Sequence, residues 1–247
     1  ILLLNSSINS KNLFDLILTY KPSFLIIPKH KIEKVDNYKK KFSTEYYDFY
    51  NYNRFYDHNL HKDLAVLLTT SASTGTKKFV RISYNNIFEN SKAIIKYLKI
   101  RSTDRLITTL PIDYTYGFSQ INTFLMQNAP IILNNYSLVQ KEFWDLLIKS
   151  KATSFGGVPF SFEILKKLNF SKKNFSKIKT ITQAGGKLSE ELQKELSNYF
   201  YKKKISFFIM YGSTEATSRM SYLPSKKSQE KLGSVGIPIP GTRIEIM

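Results

Sequence analysis

The sequence predicts an α/β fold of layered, mostly parallel sheets flanked by helices. Three observations predict it. Short β-branched and aromatic runs alternate with stretches whose apolar residues recur at helical spacing. Turns bearing glycine, proline or hydroxyl residues separate the two kinds of stretch. At 247 residues, with 42% hydrophobic and 14% aromatic side chains, the chain can bury a substantial core. There is no internal repeat and no long linker. Ligands of such folds bind beyond the carboxyl ends of the strands.

Taken in order, residues 1–4 read as a strand. Residues 11–20, KNLFDLILTY, read as a helix with Leu13, Leu16, Ile17 and Tyr20 on one face, ended by Pro22. Phe24 to Ile27 reads as a buried strand that completes a β–α–β unit. Residues 29–63 are polar and basic, then tyrosine-rich, and read as a crossing segment with short strands. Leu64 to Leu68 and Phe79 to Ile82 read as strands around a loop. Asn85 to Lys99 reads as an amphipathic helix, with Ile87, Ser91, Ile94, Ile95 and Leu98 inward and Lys92, Lys96 and Lys99 outward. Strands over 104–110, 130–133, 153–158, 179–182 and 205–210 then alternate with helices over 116–127, 141–149 and 160–168. A further helix is capped by Ser189, with Leu192, Leu196 and Tyr199 or Phe200 inward. A last strand is read over Arg243 to Met247.

The chain is centred on Leu67 to Arg81. Six of the eight positions from Thr69 to Thr76 carry a hydroxyl, and Lys77 and Lys78 follow. Hydroxyls and free backbone N–H groups donate to phosphate oxygens, and lysine adds a point charge. The same composition also suits a solvated Ser/Thr turn, and composition alone does not choose. The loop is not a Walker loop, because only Gly75 of the required glycines is present. No G-x-G-x-x-G follows a strand, and no G-x-S-x-G is found. Every histidine (His30, His58, His61) lies early in the chain, which removes serine-hydrolase chemistry. These three read as loop histidines rather than metal ligands.

Composition excludes further classes. With no cysteine there is no disulfide, zinc knuckle or cysteine nucleophile, which is compatible with a cytoplasmic setting. No run of eighteen apolar residues predicts a membrane span. The opening ILLLNSSINS lacks the basic start of a secretory signal. Net charge is +18. Lysines outnumber arginines 31 to 6 and are spread along the chain, which argues against nucleic-acid binding and for a basic surface that attracts anions.

Six stretches carry the functional reading. They are Thr70 to Lys78 (TSASTGTKK), Ile82 to Ile87 (ISYNNI), Pro111 to Gly117 (PIDYTYG), Ala184 to Leu188 (AGGKL), Tyr211 to Glu215 (YGSTE) and Gly233 to Gly241 (GSVGIPIPG). In this order and spacing they resemble the adenylate-forming superfamily of acyl-CoA synthetases, aryl-acid ligases and carrier-loading adenylation domains. The resemblance covers roughly residues 1–247. It implies ATP-dependent activation of a carboxylic acid to an acyl-AMP, with pyrophosphate released. Transfer to the thiol of CoA or of a phosphopantetheinyl carrier protein follows. It further implies that Thr70, Ser71, Ser73, Thr74, Gly75, Thr76 and Lys78 grip the β- and γ-phosphates, and that Thr214 bonds the α-phosphate. Glu215 would hold Mg²⁺. Tyr211 would stack on adenine, with Gly185, Gly186 and Gly212 letting backbone approach the nucleotide. Tyr114, Tyr116 and Gly117 would border the acyl pocket.

Departures from the pattern accompany the resemblance. Ala72 and Phe79 stand where the family has glycine, and Lys77 where it has proline. Such changes also suit a non-catalytic nucleotide-binding homologue. Tyr114 replaces a common histidine. Thr115 stands where amino-acid-activating members place a carboxylate, which argues against an α-amino acid substrate, although Asp113 is two residues away. The expected division is a first α/β subdomain over 1–113 and a second over 114–247. The resemblance places the family's ribose-binding aspartate, hinge and mobile lid domain beyond Met247. The sequence is therefore expected to be the nucleotide-binding heart of a longer enzyme and not to sustain turnover alone.

Overall fold

A computed structural model describes residues 10–22, 24–29, 36–45, 47–53, 60–70 and 79–245. The chain divides into two compact units, Leu4–Lys62 and Asp63–Met247. The division expected between residues 113 and 114 runs inside the larger unit.

In the smaller unit, helix α1 (Ser10–Tyr20) precedes strands β1 (Phe24–Pro28), β2 (Tyr38–Ser43) and β3 (Tyr47–Tyr52). The sheet order is β1-β3-β2, with both pairings antiparallel. Leu13 and Ile17 of α1 are buried with Ile27 and Tyr50, as the helical spacing predicts. The strand expected over residues 1–4 and the Tyr20 side chain lie outside the described residues. β1 pairs antiparallel with β3, and the first strand of the expected β–α–β unit lies outside the described residues. β1 differs from expectation in one way: Ile26 is 53% exposed. In an antiparallel sheet with one wet face, alternate residues face solvent even when all are apolar.

The larger unit opens with an antiparallel hairpin, β4 (Leu64–Thr69) and β5 (Phe79–Ser83). Helix α2 (Tyr84–Leu98) follows at once. The Asn86 N–H donates to Ser83 Oγ at 3.1 Å, and the Ser83 N–H donates back to Asn86 Oδ1 at 3.2 Å. The serine and asparagine of the ISYNNI stretch are thus a capping box, which satisfies two donors that a helix start leaves open. The core sheet is then built from β6 (Leu106–Ile107), β7 (Ile131–Ile132), β8 (Ser154–Gly157), β9 (Thr180–Gln183), β10 (Ser206–Tyr211), β11 (Ser221–Leu223) and β12 (Ile237–Pro238). Helices α3 (Thr115–Met126), α4 (Lys141–Lys149), α5 (Pro159–Lys167) and α6 (Glu190–Lys202) connect them. The sheet order is β12-β11-β10-β9-β8-β6-β7. β6 to β10 are mutually parallel, and β11 and β12 join antiparallel. The mostly parallel sheet expected from the sequence is present.

The sequence of β10 shows why it sits inside the sheet rather than at an edge. Phe207 and Ile209 pack into one apolar cluster with Phe143, Phe155, Phe162, Leu196 and Phe200. Phe208 and Met210 pack into another on the opposite face, with Ala93, Ile94, Tyr97 and Tyr116. A strand buried on both faces reads as a continuous apolar run, as SFFIMY does. The chain leaves β6 for β7 on one side, then returns to β8 on the other. That reversal makes a switch point between β6 and β8, where open α/β sheets place ligands. The strand expected over Arg243 to Met247 is absent over 243–245, which are irregular, and its last two residues lie outside the described residues. Two short strands, β11 and β12, that sequence patterning did not single out complete the sheet edge instead.

Candidate active site

The carboxyl ends of β9 and β10 border a cleft of about 360 Å³. Gln183, Gly185, Gly186, Lys187 and Leu188 form one wall after β9, and Ile209 to Gly212 form a second at the end of β10. The third wall is Gly233, Ser234 and Val235, with Gln193 of α6 behind it. Parts of three of the six stretches, Ala184 to Leu188, Tyr211 to Glu215 and Gly233 to Gly241, are therefore joined. The hydroxyl-rich loop follows β4 of the β4–β5 hairpin. Thr70, just after β4, is half-buried. Ser71, Ser73, Thr74, Gly75, Thr76 and Lys78, with Ala72 and Lys77, lie outside the described residues. Phe79 opens β5 and pairs with Thr69.

Close backbone approach shapes the cleft. Gly185 has φ +82°, and a Cβ there would overlap the Tyr114 hydroxyl. At Gly212 a Cβ would overlap the Ser218 carbonyl oxygen and lie 2.9 Å from Arg219 Cα. The Tyr211 ring, 49% exposed, stands at the mouth and is open to stacking. Thr214 and exposed Glu215 sit in the turn that follows, closed by Thr217 N–H to the Thr214 carbonyl at 3.1 Å and Ser218 N–H to the Ser213 carbonyl at 2.9 Å. Thr217 (φ +59°) and Ser218 (φ +105°) both have left-handed backbone, which costs roughly 1–3 kcal/mol per residue.

Behind Gly185 lies the segment that leads into α3. Tyr114 is the N-cap residue of α3, and Gly117 sits in the first turn against the Pro111 carbonyl oxygen. Tyr116 is 1% exposed and donates to Thr182 Oγ1 at 2.7 Å. Burial pushes its phenol up to about 12, against the opposing pull of Arg219. Burial also raises the Tyr114 phenol, again offset by Arg219.

Three site features escaped the sequence analysis. Gln193 is 1% exposed; its Nε2 donates to the Ser228 carbonyl at 2.9 Å and its Oε1 accepts from Gly233 N–H at 3.1 Å, which pins the third wall. Gln183 is fully buried and donates to the Gly186 carbonyl at 2.9 Å, while its Oε1 has no partner among the described residues. Arg219 is 4% exposed, with its guanidinium carbon 4.0 Å from the Tyr116 ring centroid. Gln193 and Gln183 carry no signal in sequence, because only packing buries them. Arg219 carries one, a lone arginine just after YGSTE in a lysine-rich chain.

A nucleotide fits these residues. The cleft volume lies within the roughly 300–1,000 Å³ of small-molecule sites. It offers an exposed aromatic face, backbone groups bared by glycine and an orphaned amide acceptor of the kind an exocyclic amine satisfies. Magnesium fits the donor chemistry too, since it takes one or two carboxylates together with substrate phosphates and keeps several waters. Glu215 is the available carboxylate, and no group of three metal-ligating side chains occurs among the described residues. No helix among them is long and apolar enough to cross a membrane.

The fold and this cleft define an α/β protein with a small-molecule-sized site at the carboxyl edge of its sheet. The sequence model of AMP-binding enzymes matches residues 20–247, and the chain belongs to that family. It is similar to the mitochondrial medium-chain acyl-CoA ligase of Mus musculus, 28% identical over 72% of this chain and 30% of that protein. It is also similar to the chloroplastic/peroxisomal 2-succinylbenzoate–CoA ligase of Arabidopsis thaliana, 30% identical over 75% of this chain and 35% of that protein. The chain thus spans about a third of the length of these curated relatives. Among solved structures, the Bacillus subtilis o-succinylbenzoate CoA synthetase in complex with its acyl-adenylate intermediate shares the fold at TM-score 0.76. The match is 20% identical and covers 97% of this chain and 49% of that one. VinN in complex with L-aspartate matches at TM-score 0.66 and 26% identity, over 75% of this chain and 46% of that one.

Proposed function

We propose that the chain carries the nucleotide- and acid-binding core of a cytoplasmic ATP-dependent acid–thiol ligase. The observation that carries this reading is the convergence of Gly185–Gly186, Tyr211–Gly212 and Gly233–Val235 on one cleft at the sheet edge. In this reading a carboxylate oxygen of the acid attacks the α-phosphorus of ATP, and the bond to the pyrophosphate oxygen breaks. The thiol of CoA, or of a phosphopantetheinyl carrier protein, then takes the acyl group and releases AMP. The relatives named CoA ligases favour CoA as acceptor.

Catalysis is then mainly positioning and charge stabilisation. Tyr211 stacks on adenine, and the glycine-bared backbone holds the base edge. Thr214 donates to the α-phosphate. The loop from Thr70 through Ser71, Ser73, Thr74, Gly75 and Thr76 to Lys78 holds the β- and γ-phosphates. Tyr114, Tyr116 and Gly117 border the acid. Glu215 would hold Mg²⁺, which supplies charge neutralisation at the phosphates.

The test is acid-dependent exchange of labelled pyrophosphate into ATP by the full-length protein, across a panel of carboxylic acids. Exchange with at least one acid is expected, and Glu215→Gln should lower it by about 10²-fold or more. Tight ATP binding with no exchange for any acid would instead identify a non-catalytic nucleotide-binding homologue. An unchanged rate in Glu215→Gln would remove that residue from its role.

A further inference from the structure

We propose that Arg219 binds a second carboxylate on the acid substrate, so that the protein selects dicarboxylic acids. The inference rests on the acid-ligase reading above and names the substrate class of that site.

Arg219 is the only cation buried among the described residues. No carboxylate lies within ion-pair distance of it among them. Its Nη1 donates to Ser218 Oγ at 2.6 Å, and its Nε has no partner among the described residues. The guanidinium stacks on Tyr116, which attracts a cation but does not replace a counter-charge. A guanidinium taken out of water without an anion is costly, and removing the partner of a buried charge is among the most damaging changes known. The chain nonetheless keeps it there, held by consecutive left-handed residues, Thr217 and Ser218. The sequence favours lysine 31 to 6. An arginine at the one buried cationic position among the described residues therefore fits a demand for the planar fork that grips carboxylates two oxygens at a time.

The surroundings point to the substrate as the source of that anion. Arg219 borders a cavity of about 20 Å³, with Ser119, Gln120, Thr182 and Met210 among its walls. That is room for about one water-sized group, and Gln120 and Thr182 line the same cavity as the arginine. Met210 lines both this cavity and the nucleotide cleft, so the two adjoin at that residue. The Arg219 backbone packs directly against Gly212 of the cleft wall. Tyr114 links the two regions from the other side, with its hydroxyl against Gly185 and its ring 6.3 Å from that of Tyr116. An acid whose reacting carboxylate lies at the cleft can thus send its far end toward Arg219. A neutral alkyl end would leave the guanidinium without a counter-charge.

The experiment uses the full-length protein in pyrophosphate exchange, with paired acids that differ only at the far end. Succinate, glutarate, adipate, aspartate and 2-succinylbenzoate are each compared with the matching monoamide. At least one diacid should exceed its monoamide in kcat/KM by about tenfold or more. In Arg219→Met that ratio should fall to near one, and Arg219→Lys should restore only part of it. Equal use of diacids and monoamides by the unaltered protein overturns the proposal with no variant needed. A loss in Arg219→Met that is equal for both members of each pair, or confined to the KM for ATP, also overturns it. Exchange with no acid at all overturns the ligase reading and this inference together, whereas exchange with monoacids alone removes only the inference.

Discussion

At the residue scale, the site depends on places where a side chain is forbidden. Gly212 is one of them. Its Cα faces the Ser218 carbonyl oxygen so closely that a Cβ would overlap it, with Arg219 Cα 2.9 Å away. Both obstacles are backbone, which cannot rotate aside as a flexible side chain would. Gly212→Ala should therefore cost about 1–3 kcal/mol, the range for overpacking a well-filled interior. Chemical denaturation of the full-length protein checks this, and a midpoint equal to that of the unaltered protein would mean the turn has room to move. The same substitution also pushes on Arg219, so diacid selectivity should fall further than the folding cost alone accounts for.

At the element scale, stability of the small sheet is tied to one buried carboxylate. Asp48 of β3 is 6% exposed. Lys40 of β2 lies 2.8 Å from its Oδ1, and Ser43 Oγ donates to the same oxygen at 2.6 Å. The lysine hydrogen bond, then the serine one, hold the carboxyl below the ordinary aspartate value. A depressed pKa means the folded state favours the charged form. The resulting stability is fully present above the ordinary value of about 3.9 and is lost as pH falls through the folded value. Asp48→Asn should accordingly melt lower than the unaltered protein at pH 7, and the gap should close as pH falls below about 4. A gap that stays constant with pH would place its origin in packing rather than charge. This pair also marks the limit of sequence reading. Periodicity exposed α1 to α6, because each repeats its apolar residues over several turns, and the strand runs that contain β6 and β7. It did not resolve the Lys40–Asp48 pairing, which depends on the register of β2 against β3, nor the short strands β11 and β12. The motifs marked the cleft, since glycine and aromatic residues there answer local backbone demands. Arg219, Gln183 and Gln193 went unassigned because burial of a polar side chain is set by residues distant in the chain.

At the scale of the whole molecule, charge is the dominant imbalance. With a net charge of +18, cations would remain unmatched even if every acid paired once. The ion pairs among the described residues are mostly exposed, such as Lys92–Glu89 and Lys227–Glu230, and exposed pairs add little stability. The remaining lysines repel one another across the surface, which opposes the compact state. Added salt shortens the screening length from about 30 Å at 0.01 M to about 8 Å at 0.15 M, and so weakens the repulsion while hardly touching apolar packing. Melting temperature should therefore rise as sodium chloride increases over that range. A charge-neutral solute at equal osmolality separates screening from solute exclusion, because it should leave the melting temperature nearly unchanged. A melting temperature that falls with salt would show that local ion pairs outweigh the long-range repulsion.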